Sequence, residues 1–235
     1  MSERVALVTG GSRGIGAAVA SRLAAEGWRV IALARRRPER METGIVFRAC
    51  DVADPLATRA LIGELDRLDA LVNAAGIAGA NPIDASGDAL WHGIIGANLH
   101  GTYHCCSAAQ PRLPDGTGRI VNIASVLGLR GVADQTAYCA AKHGVVGYTR
   151  ALAMALAPRG ITVNAICPGW TDTAMARARF AEIGITRAEA EAGAPTGRLV
   201  SPAEVAGTVS FLLSPAAASI TGHALPLDGG SLAAP

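Results

Sequence analysis

Residues 5–16 read Val5-Ala6-Leu7-Val8-Thr9-Gly10-Gly11-Ser12-Arg13-Gly14-Ile15-Gly16, a short apolar run that breaks into glycines. The run is continuous rather than alternating, as expected of a strand that helices cover on both faces. Its glycines permit a tight turn and let backbone N–H groups and a helix N-terminus approach a pyrophosphate. Any tight strand-to-helix turn favours glycine, so the loop takes its meaning from its place between the first strand and a helix. The spacing is G-x-x-x-G-x-G, with no Gly-Lys-Ser/Thr ending, which disfavours a P-loop nucleotide hydrolase.

Outward from this stretch, short apolar runs alternate with longer amphipathic ones, the mark of repeated βα units and a parallel sheet. Strands are expected at Val5–Thr9, Arg29–Ala34, Ile45–Ala49, Ala70–Asn73, Arg119–Ala124, Thr162–Ile166 and Ala224–Leu227. Helices are expected at Gly14–Glu26, Pro55–Leu65, Asp88–Ala109, Gln135–Ala157 and Pro202–Leu213. Gly27, Pro111, Pro158 and Gly160 punctuate the helix ends. The ten residues from Arg35 to Gly44, Pro38 among them, are too few for a helical crossover, so this connection holds little or no helix. The reading is a single α/β domain, 1–235, a Rossmann-like doubly wound parallel sheet of about seven strands. Within it Thr171–Gly197 stands apart, with alternating charge and four glycines or prolines. It reads as a substrate lid, with a plain surface helical hairpin as the alternative.

Composition removes other classes. Of 235 residues, 50% are hydrophobic and 17% charged, which excludes intrinsic disorder. A net charge of +2 gives no electrostatic reason to expect nucleic acid or a membrane surface. No apolar run reaches the ~18 residues of a membrane span, and the N-terminal apolar stretch is too short for a signal peptide. The five cysteines include no C-x-x-C pair and read as free thiols of a reducing cytoplasm. His100 and His104 share a helix face, but with no third ligand nearby no metal is expected.

Three groups of residues carry chemistry. Where the second strand ends, enzymes that prefer NAD place an acid on the adenosine ribose. Here Ala34 is followed by Arg35-Arg36-Arg37, and Arg13 lies in the glycine loop, a cationic set suited to the 2′-phosphate of NADP. The alternative is a solvated basic loop. Tyr138 and Lys142 lie four apart on one helix face, where a buried ammonium would lower the phenol's pKa and make it a usable acid/base. Ser125, thirteen residues upstream and just past a strand end, offers a hydroxyl to a carbonyl oxygen.

With these residues in place the chain resembles the short-chain dehydrogenases/reductases over essentially its whole length. Thr9–Gly16 matches the family's cofactor loop, Asp51-Val52 its adenine-contacting pair, and Asn73-Ala74-Ala75-Gly76 its NAAG signature. Asn98, in ANLHG, matches the catalytic asparagine; Ser125, Tyr138 and Lys142 match the rest of the tetrad. Pro168-Gly169-Trp170-Thr171-Asp172-Thr173 matches PG-x-x-x-T, and LPLDGG the last strand. Among members it looks most like bacterial β-ketoacyl-carrier-protein reductases, including the short second crossover. It is also similar to dihydrodiol dehydrogenases that share the phrase LDALVNAAGI, although those tend to carry an acid where Ala34 stands.

The resemblance implies an oxidoreductase that interconverts a ketone and a secondary alcohol by hydride transfer, using NADP(H) in preference to NAD(H). Asn98, Ser125, Tyr138 and Lys142 would be catalytic, with Asn98 placing a water that links Lys142 to solvent. The cofactor would meet Gly10, Ser12, Arg13, Gly14, Ile15, Gly16, Arg35, Asp51, Val52, Asn73, Ala74, Gly76, Tyr138, Lys142, Pro168, Gly169 and Thr173. A small-molecule carbonyl or alcohol would meet Ser125, Leu127, Tyr138, Trp170 and Met175, with bulky Trp170 narrowing the pocket. The lid's three arginines face four carboxylates, so a carrier-bound acyl substrate is less expected than a free ketone; Arg130 is the best cation for such a carrier. A homotetramer is the family's usual assembly. The alternatives are an NAD-dependent cyclic diol or alcohol dehydrogenase and a non-catalytic dinucleotide sensor, which would need the glycine loop but not the tetrad.

Overall fold

The computed structural model describes residues 3–39 and 41–234. Met1, Ser2, Arg40 and Pro235, which the expected domain 1–235 includes, lie outside the described residues. The strands are β1 (Val5–Thr9), β2 (Arg29–Ala34), β3 (Ile45–Ala49), β4 (Ala70–Asn73), β5 (Arg119–Ile123), β6 (Thr162–Pro168) and β7 (Ala224–Leu227). The helices are α1 (Gly14–Ala25), α2 (Pro55–Gly63), α3 (Asp88–Ile95), α4 (Gly101–Ala109), α5 (Thr136–Leu156), α6 (Ala174–Ile183), α7 (Arg187–Ala192) and α8 (Pro202–Leu213). All seven strands run parallel in the order β3-β2-β1-β4-β5-β6-β7.

Alternate residues of β1 face opposite sides of the sheet. Ala6 and Val8 pack with Val19 and Leu23 of α1 and Val205 and Val209 of α8. Val5 and Leu7 pack on the other side with Ile62 of α2, Cys105 and Cys106 of α4 and Leu156 of α5. The result is three layers, and each large side chain buried here stabilises them by roughly 1.5–3 kcal/mol. All five cysteines are free and buried, and act as small apolar filling. No helix among the described residues is long and apolar enough to cross a membrane.

Every expected strand forms, with β5 ending at Ile123 and β6 extending to Pro168. The described residues between β2 and β3 contain no helix, as the short connection requires. The expected helix Asp88–Ala109 is corrected: a π-helical stretch, Gly96–His100, interrupts it between α3 and α4. The wider turn turns Asn98 inward, where its amide bonds the Ile77 backbone and is fully buried. The segment expected to be a lid forms two helices, α6 and α7, packed on each other through Ala176, Phe180, Ala190 and Leu199.

The order of connection reverses between β1 and β4. In a doubly wound sheet ligands bind in the crevice at the carboxyl ends of the strands beside this switch point. Thr9, Asn73, Ser125 and Gly169 all stand at or just past those ends.

Candidate active site

The floor of the crevice is tied together by Thr9, whose Oγ1 accepts the N–H groups of Ala74 and Ala75, both at 3.0 Å. Sequence reasoning missed this role, which a threonine at a strand end does not advertise. Gly10 has φ +68°, and a Cβ there would stand 2.7 Å from the Ala74 carbonyl oxygen. At Gly16 a Cβ would fall 2.3 Å from the Gly10 carbonyl oxygen, so only glycine lets α1 approach the strand this closely.

No side chain caps α1. Its first helical hydrogen bond joins Ala17 N–H to the Arg13 carbonyl at 3.3 Å. The N–H groups of Gly14, Ile15 and Gly16 therefore precede the ladder and face the loop as unspent donors. Thr173 lies over this loop, its methyl 3.5 Å from where a Gly14 Cβ would sit, while its hydroxyl caps α6 through Ala176 N–H. Arg13 and Arg35 are exposed, and neither forms an ion pair among the described residues. Arg35 directly follows β2, the strand beside β1. Bare helix donors and a glycine cradle form a donor set suited to the pyrophosphate of a dinucleotide.

Asp51 is exposed, with Oδ1 accepting Ala53 N–H at 3.0 Å. Val52 is buried against Gly101, and its carbonyl meets His104 Nδ1 at 3.0 Å. This contact explains His104 without a metal. The Asn73 side chain points away from the crevice, donating to Asn122 Oδ1 at 2.9 Å, and Asn122 donates in turn to Thr149. Asn73 thus fastens β4 to β5 and α5, and only its backbone borders the crevice.

On the other wall four side chains converge. Ser125 leaves β5 in extended geometry, and its Oγ accepts Leu127 N–H at 3.1 Å. The Tyr138 phenol, in the first turn of α5, lies near this hydroxyl, which favours its ionised form. One turn on, Lys142 is buried with Nζ donating to the Ile123 carbonyl at 2.8 Å and lying 5.5 Å from the Tyr138 ring centroid. Asn98 Nδ2 donates to the Ile77 carbonyl at 2.8 Å while its Oδ1 accepts Ile77 N–H at 3.0 Å. A Cβ at Gly76 would sit 2.3 Å from Asn98 Oδ1 and 3.8 Å from Lys142 Nζ, so Gly76 makes room for both.

The electrostatics correct one expectation. Burial pushes the Tyr138 phenol up to about 12, and the neighbouring Ser125 hydroxyl only partly opposes it. Burial likewise pulls the Lys142 ammonium down to about 8. Lys142 therefore does not bring the phenol towards neutrality: desolvation dominates, and the lysine's donor is spent on the Ile123 carbonyl. At neutral pH the site holds a protonated phenol beside a largely charged lysine, the form suited to giving a proton.

Trp170 turns its indole edge-on to Phe180 of α6, ring centroids 4.9 Å apart, and so packs on the lid helix. Met175 is exposed at the start of α6, and Leu127 is half-buried beside Ser125. The remaining expected residues of the Pro168–Thr173 turn sit at the end of β6, where Gly169 N–H bonds the Leu227 carbonyl at 3.0 Å.

Comparison with known proteins agrees with this geometry. The family described as enoyl-(acyl carrier protein) reductase matches residues 10–231. The chain belongs to the short-chain dehydrogenase/reductase family. It is 39% identical to the 3-oxoacyl-acyl-carrier-protein reductase FabG of Vibrio harveyi, over 98% of each chain. It is similar in structure to the ligand-free aldohexose dehydrogenase AldT of Thermoplasma acidophilum, with TM-score 0.92 and 34% identity over 99% of this chain and 95% of that one. A variant of actinorhodin polyketide ketoreductase, solved with NADPH, matches at TM-score 0.87 and 38% identity over 97% of each. As a member of this dehydrogenase/reductase family the chain is an oxidoreductase, and its seven-stranded sheet is the family's fold.

Proposed function

We propose that this short-chain reductase uses NADPH to reduce a small or medium ketone to a secondary alcohol. The observation that carries the reading is the convergence of Asn98, Ser125, Tyr138 and Lys142 beside a bare glycine-loop cradle. When bound, the nicotinamide would supply a hydride to the carbonyl carbon. The chain's own part is orientation and proton delivery. The Ser125 hydroxyl holds the carbonyl oxygen, and Tyr138 protonates it as negative charge develops. Lys142 would hold the nicotinamide ribose and support the phenol, and Asn98 would position the path by which Lys142 regains a proton.

Gly10, Ser12, Gly14, Ile15 and Gly16 would hold the pyrophosphate and Arg13 and Arg35 the 2′-phosphate. Asp51 and Val52 would meet the adenine, and Asn73, Ala74, Gly76, Pro168, Gly169 and Thr173 the nicotinamide half. Ser125, Leu127 and Met175 would line the substrate side under the α6–α7 lid. A homotetramer in the cytoplasm is the proposed form.

FabG is by name a 3-oxoacyl-acyl-carrier-protein reductase and the actinorhodin enzyme a polyketide ketoreductase, and the protonated Tyr138 suits reduction. Ion pairing argues against dependence on a carrier. Arg177 and Arg187 bind Asp172, Arg187 also binds Glu191, and Arg179 binds Asp134 and Glu182. None of the lid's arginines is left to meet a carrier's phosphate. Arg130 is exposed without an ion pair among the described residues, but it stands alone. The NAD-dependent alcohol or diol dehydrogenase reading is disfavoured by Ala34 and Arg35 where an acid would stand.

Cofactor choice tests the reading. Charge-assisted hydrogen bonds contribute on the order of 1.5–3 kcal/mol, so kcat/KM with NADPH should exceed that with NADH by roughly tenfold to a hundredfold. Ala34→Asp combined with Arg35→Ala should reverse the order. Equal use of both cofactors by the natural chain would reduce the arginine run to a solvated loop.

A further inference from the structure

Helix α5 carries Tyr138 in its first turn, yet its own N-cap residue, Gln135, makes no side-chain capping bond. The cap comes from 56 residues earlier in the chain. Asn81 Oδ1 accepts Ala137 N–H at 3.0 Å, and Asn81 Nδ2 donates to Thr136 Oγ1 at 2.8 Å and to the Pro82 carbonyl at 3.2 Å. Asn81 N–H also donates to the Asp134 carbonyl at 3.0 Å. The side chain is buried, and its bonds bracket the residue just before Tyr138.

The same loop is tied to the lid. Ala80 N–H donates to Glu182 Oε1 of α6 at 3.2 Å. Arg179, one turn earlier on α6 and buried, pairs with Glu182 at 2.7 Å and with Asp134. The contacts close a ring: Asn81 to Asp134, Asp134 to Arg179, Arg179 to Glu182, and Glu182 back to Ala80. It joins three segments that border the crevice, namely the loop after β4, the approach to α5, and the lid.

We infer that Asn81 is a positioning residue for Tyr138, and that the Arg179 clasp makes seating of the lid and alignment of the phenol one event. The inference rests on reading Tyr138 as the proton donor. A helix start fixed by a neighbouring loop moves when that loop moves, and a displacement near 1 Å can cost about a hundredfold in rate. Lid position and proton delivery are thereby coupled without any contact between Asn81 and substrate.

The test measures kcat, ketone KM, melting temperature and NADPH affinity by fluorescence, in Asn81→Ala, Asn81→Asp, Arg179→Met and the Asn81→Ala/Arg179→Met double variant. Tyr138→Phe is the reference. Asn81→Ala should lower kcat ~10- to 100-fold while NADPH affinity holds. Asn81→Asp, whose carboxylate still accepts from Ala137 N–H at a helix N-terminus, should return kcat to within about threefold of the natural chain. Arg179→Met leaves only two half-exposed carboxylates behind, so it should fold, with kcat down roughly tenfold and KM raised. Asn81→Ala keeps the backbone bond to Asp134 and removes the cap, while Arg179→Met opens the clasp; because both act on the one alignment of Tyr138, the double variant should be little worse than the poorer single one.

A fully active Asn81→Ala with only a lower melting temperature makes the cap purely structural and overturns the proposal. If Asn81→Ala does not fold, an unchanged kcat in Arg179→Met overturns it instead. Effects that multiply in the double variant separate clasp from cap and overturn the coupling. All of these results presuppose an inactive Tyr138→Phe; an active one removes the proton-donor reading itself, and is told apart by that variant alone.

Discussion

Tyr138→Phe should lower kcat on the order of 10³-fold, roughly 4 kcal/mol of transition-state stabilisation, while NADPH affinity stays within about twofold. Only a hydroxyl is removed, and the neighbouring Ser125 keeps its own bond to Leu127 N–H. The pocket should therefore keep its shape. Residual kcat above a few per cent would move the acid elsewhere. Lys142→Met should differ by weakening cofactor binding as well, because Lys142 is assigned both tasks. The same pair sets the pH profile. The phenol, at about 12, stays protonated across the accessible range. Lys142, lowered to about 8, loses its charge as pH rises through that value. Reduction should therefore be level near pH 6–7 and decline above about 8; a profile still rising there would contradict the assignment.

Gly76→Ala should cost nearly as much, by a different route. The new methyl would meet Asn98 Oδ1 at 2.3 Å, and that amide is not free to swing, being held by two bonds to Ile77. Either Asn98 gives up its bonds or the Gly76 backbone shifts against Lys142, and the π-helical stretch that turns Asn98 inward loses its purpose. Breaking buried hydrogen bonds of this kind costs about 1–3 kcal/mol of stability. The displaced wall should lower kcat ~100-fold. Melting temperature and kcat measured together check this, and a variant with both unchanged would show that Asn98 has slack the geometry does not reveal. By contrast Gly63→Ala, where an added Cβ meets nothing within 4 Å, should leave activity intact.

These residues also show how far the sequence is legible. The strands are readable because each is a short apolar run under helices on both faces, and Val5–Thr9 can be nothing else in this context. The Tyr138–Lys142 spacing and the glycine loop are local, so their placement survives translation into three dimensions. What fails to show is whatever depends on distant partners. Nothing in GANLHG announces a π turn, and the Ile77 backbone that receives Asn98 lies 21 residues away. Asn81 followed by Pro82 reads as an ordinary turn, and only the fold shows that it caps α5. The edge-on packing of Trp170 against Phe180, ten residues on, also shows only in the fold. The direction of the Tyr138 shift is likewise invisible in YCAAK, where proximity to lysine argues one way and burial, which wins, argues the other.

The most direct measurement follows NADPH absorbance when the purified protein meets a free β-keto ester, with the alcohol product quantified alongside, and is then repeated with the coenzyme A thioester. The account predicts one alcohol formed per NADPH consumed, with the ester turned over in the absence of any carrier. It also predicts that the thioester is favoured by less than about a thousandfold, roughly 4 kcal/mol. Tight NADPH binding with no consumption, for ester and thioester alike, would contradict it and leave a dinucleotide sensor in place of a reductase.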